Sequence, residues 1–277
     1  MEKPLSFGEH NELRGILHLP SDQQVQVGVV FVQGWSGDRT GPHRMFVHAA
    51  RRFAGQGIGS MRFDLPGRGE STGSPTDTDL DQMIEATLTA ADVLERESKA
   101  PKTYILGICS GGNVALGSAS LRKEIDGLIL WSTPLFAQFK SAGTELVRRK
   151  RLVGEFARKL FRRETYSKLF GGKLNWSIIA QTLLCREKKP SSGRNPKDSH
   201  RDIMSDLKGY RGPALFVYGS RDHDAAGAPE FFKEFCFQND IPVQFHKIDG
   251  ANHSFYSRVW EDEVIGLTEE WLLKRCQ

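Results

Sequence analysis

Gly107-Ile108-Cys109-Ser110-Gly111-Gly112 is the stretch whose reading decides the fold of this 277-residue chain. An apolar run over 104–108 precedes it and reads as a buried strand, and a helical pattern over 113–122 follows it. A strand that turns into a helix within so few residues brings backbone against backbone, and only glycine leaves room for that. Gly107 and Gly111 stand two residues either side of Cys109, so the cysteine sits at the tip of the turn. Centring the turn on Ser110 would put Ile108 where the first glycine belongs. A thiol at a helix N-terminus feels the positive end of the dipole, which favours the thiolate. The alternative is a Gly-rich turn holding an inert buried cysteine.

Working outward, strand-length apolar runs alternate with amphipathic helical stretches. Strands are predicted over 27–32, 59–65, 104–108, 128–131, 214–218 and 243–248, with an antiparallel edge strand over 13–19. Helices are predicted over 44–56, 80–97, 113–122, 229–238 and 259–274. Alternation of this kind predicts an α/β fold with a mostly parallel central sheet and helices on both faces. From 135 to 208 the rhythm breaks into helical patterns with a Pro-, Ser- and Lys-rich loop over 191–200. The expected organisation is a core over 1–134 and 209–277, interrupted by a helical cap over 135–208.

Charge follows the same division. Between Lys140 and Arg211 there are 19 Lys/Arg and 7 Asp/Glu, a net of +12, within a chain of net charge +4. The cap is therefore a basic block in an acidic frame, with Arg148, Arg149, Lys150 and Arg151 at its densest point. Cations beside a cleft would favour an anionic acyl donor, an acidic carrier protein or an anionic membrane surface. A solvated helical face is the other reading of the same charges.

Two further motifs lie at predicted strand ends. Gly219-Ser220-Arg221-Asp222 follows the strand over 214–218, and Asp249-Gly250-Ala251-Asn252-His253-Ser254-Phe255 follows the strand over 243–248. His253 is the candidate general base, and Asp222, three residues after its glycine, is the candidate that fixes the histidine tautomer. Asp224 is the rival carboxylate. The turn Gln33-Gly34-Trp35-Ser36-Gly37 follows the strand over 27–32. It is expected to supply one oxyanion-binding N–H from Trp35, the other coming from the backbone of Ser110.

Taken together, these motifs make the chain resemble an α/β-hydrolase over nearly its whole length. The order nucleophile, acid, histidine is that of the α/β-hydrolase fold. Asp64-Leu65-Pro66-Gly67-Arg68-Gly69-Glu70-Ser71 is similar to the Asp-x-x-Gly-x-Gly-x-Ser turn of its serine-aminopeptidase-like branch. Many relatives begin the oxyanion turn with His-Gly, where this chain has Gln33-Gly34. A cysteine at the elbow resembles dienelactone hydrolases. It looks closer to the bacterial hydrolases associated with exosortase systems, through Gly41-Pro42-His43-Arg44-Met45-Phe46-Val47, Ala251-Asn252-His253-Ser254-Phe255 and the helix containing Trp271-Leu272. The chain departs from them after the cysteine, with Ser110-Gly111-Gly112.

These readings exclude several classes. Hydrophobic residues at 39% and charged residues at 26% are the balance of a globular protein, not of a disordered one. Residues 1–10 lack the apolar run of a signal peptide, and no stretch has the length of a spanning helix, so cytoplasmic residence is the expectation. No two cysteines form a C-x-x-C pair, which leaves a structural zinc site without support. Cys185, Cys236 and Cys276 are expected to be structural. Asp77, Asp79 and Asp81 imitate the start of a calcium loop, but Gln82 and Leu88 fail its later positions. Asp64 and Arg68 are expected to organise their turn. His43 and Arg44 are candidate substrate contacts.

The leading expectation is a hydrolase of carboxylic esters or thioesters needing no metal or redox cofactor. Its substrate would be a small acyl compound, free or carried on CoA or an acyl carrier. An acyltransferase using the same acyl-cysteine and a non-catalytic binding module are the alternatives. No nucleic-acid-binding motif is present, so nucleic acid is not an expected partner.

Overall fold

The computed structural model describes residues 1–21, 24–136, 197 and 199–276. Most of the expected cap over 135–208, including its basic block, lies outside the described residues, as does Cys185.

Eight strands form one sheet in the order β1-β2-β4-β3-β5-β6-β7-β8. They are β1 Glu2–Phe7, β2 Leu13–His18, β3 Val27–Val32, β4 Ile58–Phe63, β5 Thr103–Ile108, β6 Gly127–Trp131, β7 Ala214–Gly219 and β8 Val243–Ile248. Strands β3 to β8 are parallel, and β1 and β2 join antiparallel beside β4. Every residue of β3, β4, β5, β6 and β7 is buried, as expected where helices cover both faces of a parallel sheet. One apolar layer joins α2 (Leu80–Ser98) and α3 (Ser110–Leu121) to the sheet, and α1 (Met45–Ala54) packs in the opposite layer. The short α4 (Ile203–Leu207) and α5 (Ala228–Gln238) share the first layer, and α6 (Arg258–Leu273) the second. Although α4 falls within the stretch expected to be cap, it buries Ile203, Met204 and Leu207 in the same apolar layer as α2 and α3.

The edge strand β1 has no counterpart among the predicted strands. Only Phe7 of it is fully buried, so it carries no alternating signal; it is held by pairing along its length with β2. Helix α3 begins three residues earlier than predicted, immediately after Cys109. Asp79 caps α2 in a capping box with Gln82, and Asp81 accepts from Ser199 Oγ and, at 2.7 Å, from the His200 N–H. The acids that imitate a calcium loop thus include a helix cap and a loop anchor.

Strand order fixes where the chemistry lies. From β3 the chain passes to β4 on one side and then to β5 on the other. Ligands of open parallel sheets bind outside the strands' C-terminal ends at such a switch point. Val32, the last residue of β3, pairs with Gly107, so the turn after β3 lies beside the turn after β5.

Candidate active site

The turn after β5 is as tight as its glycines imply. A Cβ on Gly107 would collide with the carbonyl of Gly111, and a Cβ on Gly111 with the carbonyls of Val32 and Gln33. Between them Cys109 takes φ 55° and ψ −131°, a region that a residue with a Cβ enters only when its surroundings impose it. Its N–H donates to Trp131 O at 2.9 Å, and its carbonyl accepts from Gly112 N at 3.0 Å. The half-buried thiol stands at the N-terminus of α3.

His253 reaches this thiol from the loop after β8. Its Nδ1 lies 2.8 Å from Asp222 Oδ1, and its ring interacts electrostatically with the Cys109 thiol. The Asp222 side chain is only 1% exposed. Its Oδ1 also accepts from the N–H groups of Asp224 at 3.1 Å and Ala225 at 3.2 Å. The two loops are stitched together: Arg221 N donates to Ala251 O at 2.9 Å, and Ser220 Oγ accepts from Gly250 N at 2.7 Å. The structure thus gathers Cys109, His253 and Asp222 at the C-terminal ends of β5, β8 and β7, with His253 and Asp222 hydrogen-bonded. Asp224 contributes its backbone N–H to Asp222 Oδ1.

Electrostatics follow from these contacts. Burial alone would push the Cys109 thiol up. Hydrogen bonds from His253 and from the backbone and hydroxyl of Ser110, with the charge of His253, outweigh it and hold the thiol below its usual range. Burial opposes the charged form of His253 as well, but hydrogen bonds to Asp222 and Cys109 raise it to about 10. Both shifts favour the charged forms of the two groups. Cys236 shows the contrast: burial without such partners pushes its thiol up to about 12. Burial likewise raises Cys276.

The turn after β3 brings Trp35 to the elbow, where its N–H donates to Ser110 Oγ at 2.7 Å. Both expected oxyanion donors, Trp35 and Ser110, are thus adjacent, with the Trp35 N–H engaged by the Ser110 hydroxyl. Arg68 braces the turn from behind. Its Nε donates to Trp35 O at 2.6 Å, its Nη1 to Pro66 O at 2.8 Å, and its guanidinium lies 4.8 Å from the Trp35 ring centroid. Lys197 Nζ lies 5.4 Å from the same centroid. Gln33, at the start of this turn, is buried. With its amide oriented by its neighbours, it donates to Phe63 O and accepts from Leu65 N, each at 2.9 Å.

Asp64 is fully buried and accepts from Arg39 N at 2.7 Å, from the Arg39 side chain and from Glu70 N at 2.9 Å, organising its turn. His43 and Arg44 both have positive φ, 39° and 68°, and Gly41, separated from them by Pro42, has φ 71°. The His43 ring meets Tyr256 edge-on with centroids 5.3 Å apart, which sets it against the loop carrying His253. Neither of its ring nitrogens has a hydrogen-bond partner among the described residues. Arg44 is exposed at the head of α1.

A family model described as serine aminopeptidase, S33, matches residues 39–256, a span that includes Cys109, Asp222 and His253. None of the curated proteins is detectably similar in sequence. Solved structures share the fold. A dienelactone hydrolase from Anabaena variabilis is 15% identical with a TM-score of 0.63, covering 99% of this chain and 97% of its own. Est1E from Butyrivibrio proteoclasticus, bound to ferulic acid, is 17% identical with a TM-score of 0.63, covering 95% and 94%. An esterase of Pyrococcus furiosus is 19% identical with a TM-score of 0.66, covering 99% and 91%.

Proposed function

Because the chain belongs to the serine aminopeptidase S33 family of α/β-hydrolases, we propose that it cleaves a carboxylic ester or thioester through an acyl-enzyme on Cys109, with His253 as acid and base and Asp222 orienting His253. The observation that carries this reading is a cysteine held at φ 55° on the elbow, with the charge of His253, itself 2.8 Å from Asp222 through Nδ1, acting on its thiol. The family is named for serine. In this chain the strained elbow position holds cysteine, and Ser110 is the first residue of the helix that follows.

In the proposed reaction the Cys109 proton rests on His253, and the thiolate attacks the acyl carbon. The carbonyl oxygen gains negative charge facing the N–H groups of Trp35 and Ser110. The bond to the leaving alcohol or thiol breaks, and the leaving group takes the proton from His253. Water then gives a proton back to His253 as its oxygen attacks the thioester carbon, and Cys109 departs as thiolate. Asp222 stays ionised throughout and stabilises the imidazolium.

We further propose that the acyl donor is anionic, free or carried on CoA or an acyl carrier. Arg68 and Lys197 beside the Trp35 ring support this, as does the basic block over 140–211. Within the family we set the chain near the cysteine-elbow hydrolases of exosortase systems, on the strength of the Gly41-Pro42-His43-Arg44 stretch.

The test is a panel of thioesters with quenching and peptide mass analysis. An acyl mass on Cys109, absent in Cys109→Ala, supports the reading. Steady turnover with acylation of Ser110 and none of Cys109 would overturn it. Free acid formed without an added acceptor marks hydrolysis, whereas donor consumption only with an added alcohol or amine marks transfer.

A further inference from the structure

Asp222 is bonded through one oxygen only. Its Oδ1 faces His253 Nδ1 and accepts from the N–H groups of Asp224 and Ala225, while Oδ2, buried as well, has no hydrogen-bond partner among the described residues. A carboxylate has lone pairs for about four donors, and a buried oxygen left without one is costly. The same residue is a wall of a cavity of about 370 Å³ between the end of β7, the start of α5 and β8, the size of a small-molecule site. Glu230, in the first turn of α5, sets a second carboxylate in the wall. The Phe245 ring, also in the wall, already takes a cation on its face: Lys233 Nζ lies 5.6 Å from its centroid. Lys233, His246 and Lys247 are the basic wall residues, and all three are exposed, where solvent screens their charge. The Asp222 side chain is 1% exposed. We propose that this cavity is a second ligand site, for a small cation with N–H donors, which gives a hydrogen bond to Asp222 Oδ2.

This rests on Asp222 being the residue that orients His253, and it adds a control point behind that residue. A cation on Oδ2 draws on the same carboxylate charge that stabilises the imidazolium, so the two compete. With the cation bound, His253 holds its proton less firmly and the Cys109 thiolate loses part of its counter-charge. None of Cys109, His253 and Trp35 lines the cavity, so the cation and the acyl donor do not contend for one place. The coupling between them runs through Asp222 alone.

The experiment measures kcat/KM of the full chain on a thioester of an uncharged thiol, at neutral pH, with guanidinium chloride or tetramethylammonium chloride added at equal ionic strength. Both are cations, and only guanidinium has N–H donors. Circular dichroism confirms that the chain stays folded at each concentration used. Guanidinium should lower kcat/KM saturably by about fivefold or more, the lower end of coupling between two sites, and tetramethylammonium should leave it level. Ala226 is an exposed wall residue outside the triad. Ala226→Phe fills the cavity from there, and should keep the basal rate and lose the guanidinium response. Equal effects of the two salts, no effect of either, or a guanidinium response that survives in Ala226→Phe would overturn the site while leaving the triad intact. An Asp222→Asn variant as active as wild type would instead remove the role of Asp222, and this inference with it.

Discussion

The backbone N–H of Asp224 donates to Oδ1 of Asp222 across 3.1 Å, so the second aspartate of the turn serves the first. The same Oδ1 faces His253 Nδ1 at 2.8 Å. Asp222→Asn removes the charge beside the imidazolium and can present an amide N–H to Nδ1, favouring the wrong tautomer. Asp224→Asn keeps the donating N–H. Asp222→Asn should lower kcat/KM on the order of 10²-fold or more, below the ~10⁴-fold of a serine enzyme because a thiolate needs less help from its base. Asp224→Asn should cost no more than about threefold, since it removes no interaction that strengthens in the transition state. A larger loss at Asp224 in thioester kinetics would reverse the assignment.

The pH profile of that activity is set by the ion pair. Cys109 is held low by His253 and Ser110, and His253 is raised to about 10. Activity should rise as the thiolate forms, at a pH below the ordinary thiol range. It should fall only as His253 deprotonates near pH 10, when no proton remains for the leaving group. Two interacting groups titrate as a pair, so both limbs belong to the couple. A profile rising to an optimum only above the ordinary thiol value would contradict a resting ion pair.

The elbow was legible in the sequence because its backbone demands glycine at fixed positions, and Gly107 and Gly111 are those positions. The approach of Asp222 to His253 was legible because each follows a strand in a turn motif. What the sequence did not reveal depends on strand register or weak patterning. The Ser110 hydroxyl meets Trp35 only through the pairing of β3 with β5. Arg68 reaches Trp35 O across 33 positions, and nothing in its own turn points there. Strand β1 has too little buried apolar surface to signal itself, and α4 was absorbed into the expected cap because a five-residue helix between a loop and the next strand carries too little periodicity to stand apart.

The strained conformation of Cys109 predicts a conflict between stability and activity. At φ 55° and ψ −131° a residue with a Cβ costs on the order of 1–3 kcal/mol. Glycine escapes most of that while losing backbone entropy in the folding reaction. Cys109→Gly should therefore be inactive yet more stable than Cys109→Ala by about 1 kcal/mol, as read from urea midpoints. Equal midpoints would mean that the elbow is not strained.

Acid stability should depend on His18. This side chain is 1% exposed, and its Nε2 accepts from Arg62 Nε at 2.9 Å. Burial and the Arg62 charge push it down to about 4. Between its unfolded value near 6.5 and 4, the unfolded chain binds a proton that the native state refuses, so stability is lost as pH falls through that window. The loss amounts to about 3 kcal/mol at the pKa scale of 1.36 kcal/mol per unit. His18→Gln keeps an acceptor for Arg62 and should flatten this part of the urea-midpoint profile. An unchanged slope would assign the acid loss to other groups.

Substrate charge gives the last prediction. Arg68 and Lys197 approach the Trp35 ring at 4.8 and 5.4 Å, and the densest part of the basic block, Arg148 to Arg151, lies outside the described residues. Cations near a cleft speed capture of anions, and salt screens the effect over a Debye length of about 8 Å at physiological ionic strength. Two substrates sharing one acyl group, one on CoA and one on an uncharged thiol, separate this from acyl recognition. As salt is raised, kcat/KM for the CoA ester should fall several-fold while that for the neutral ester stays level, because steering acts on encounter and not on the chemical step. Reversing Arg148, Arg149, Lys150 and Arg151 to glutamate should weaken the CoA ester selectively and remove much of its salt dependence. Salt-independent kinetics for both esters, unaltered by the reversal, would leave the basic block as a solvated surface and the donor's charge without a reader.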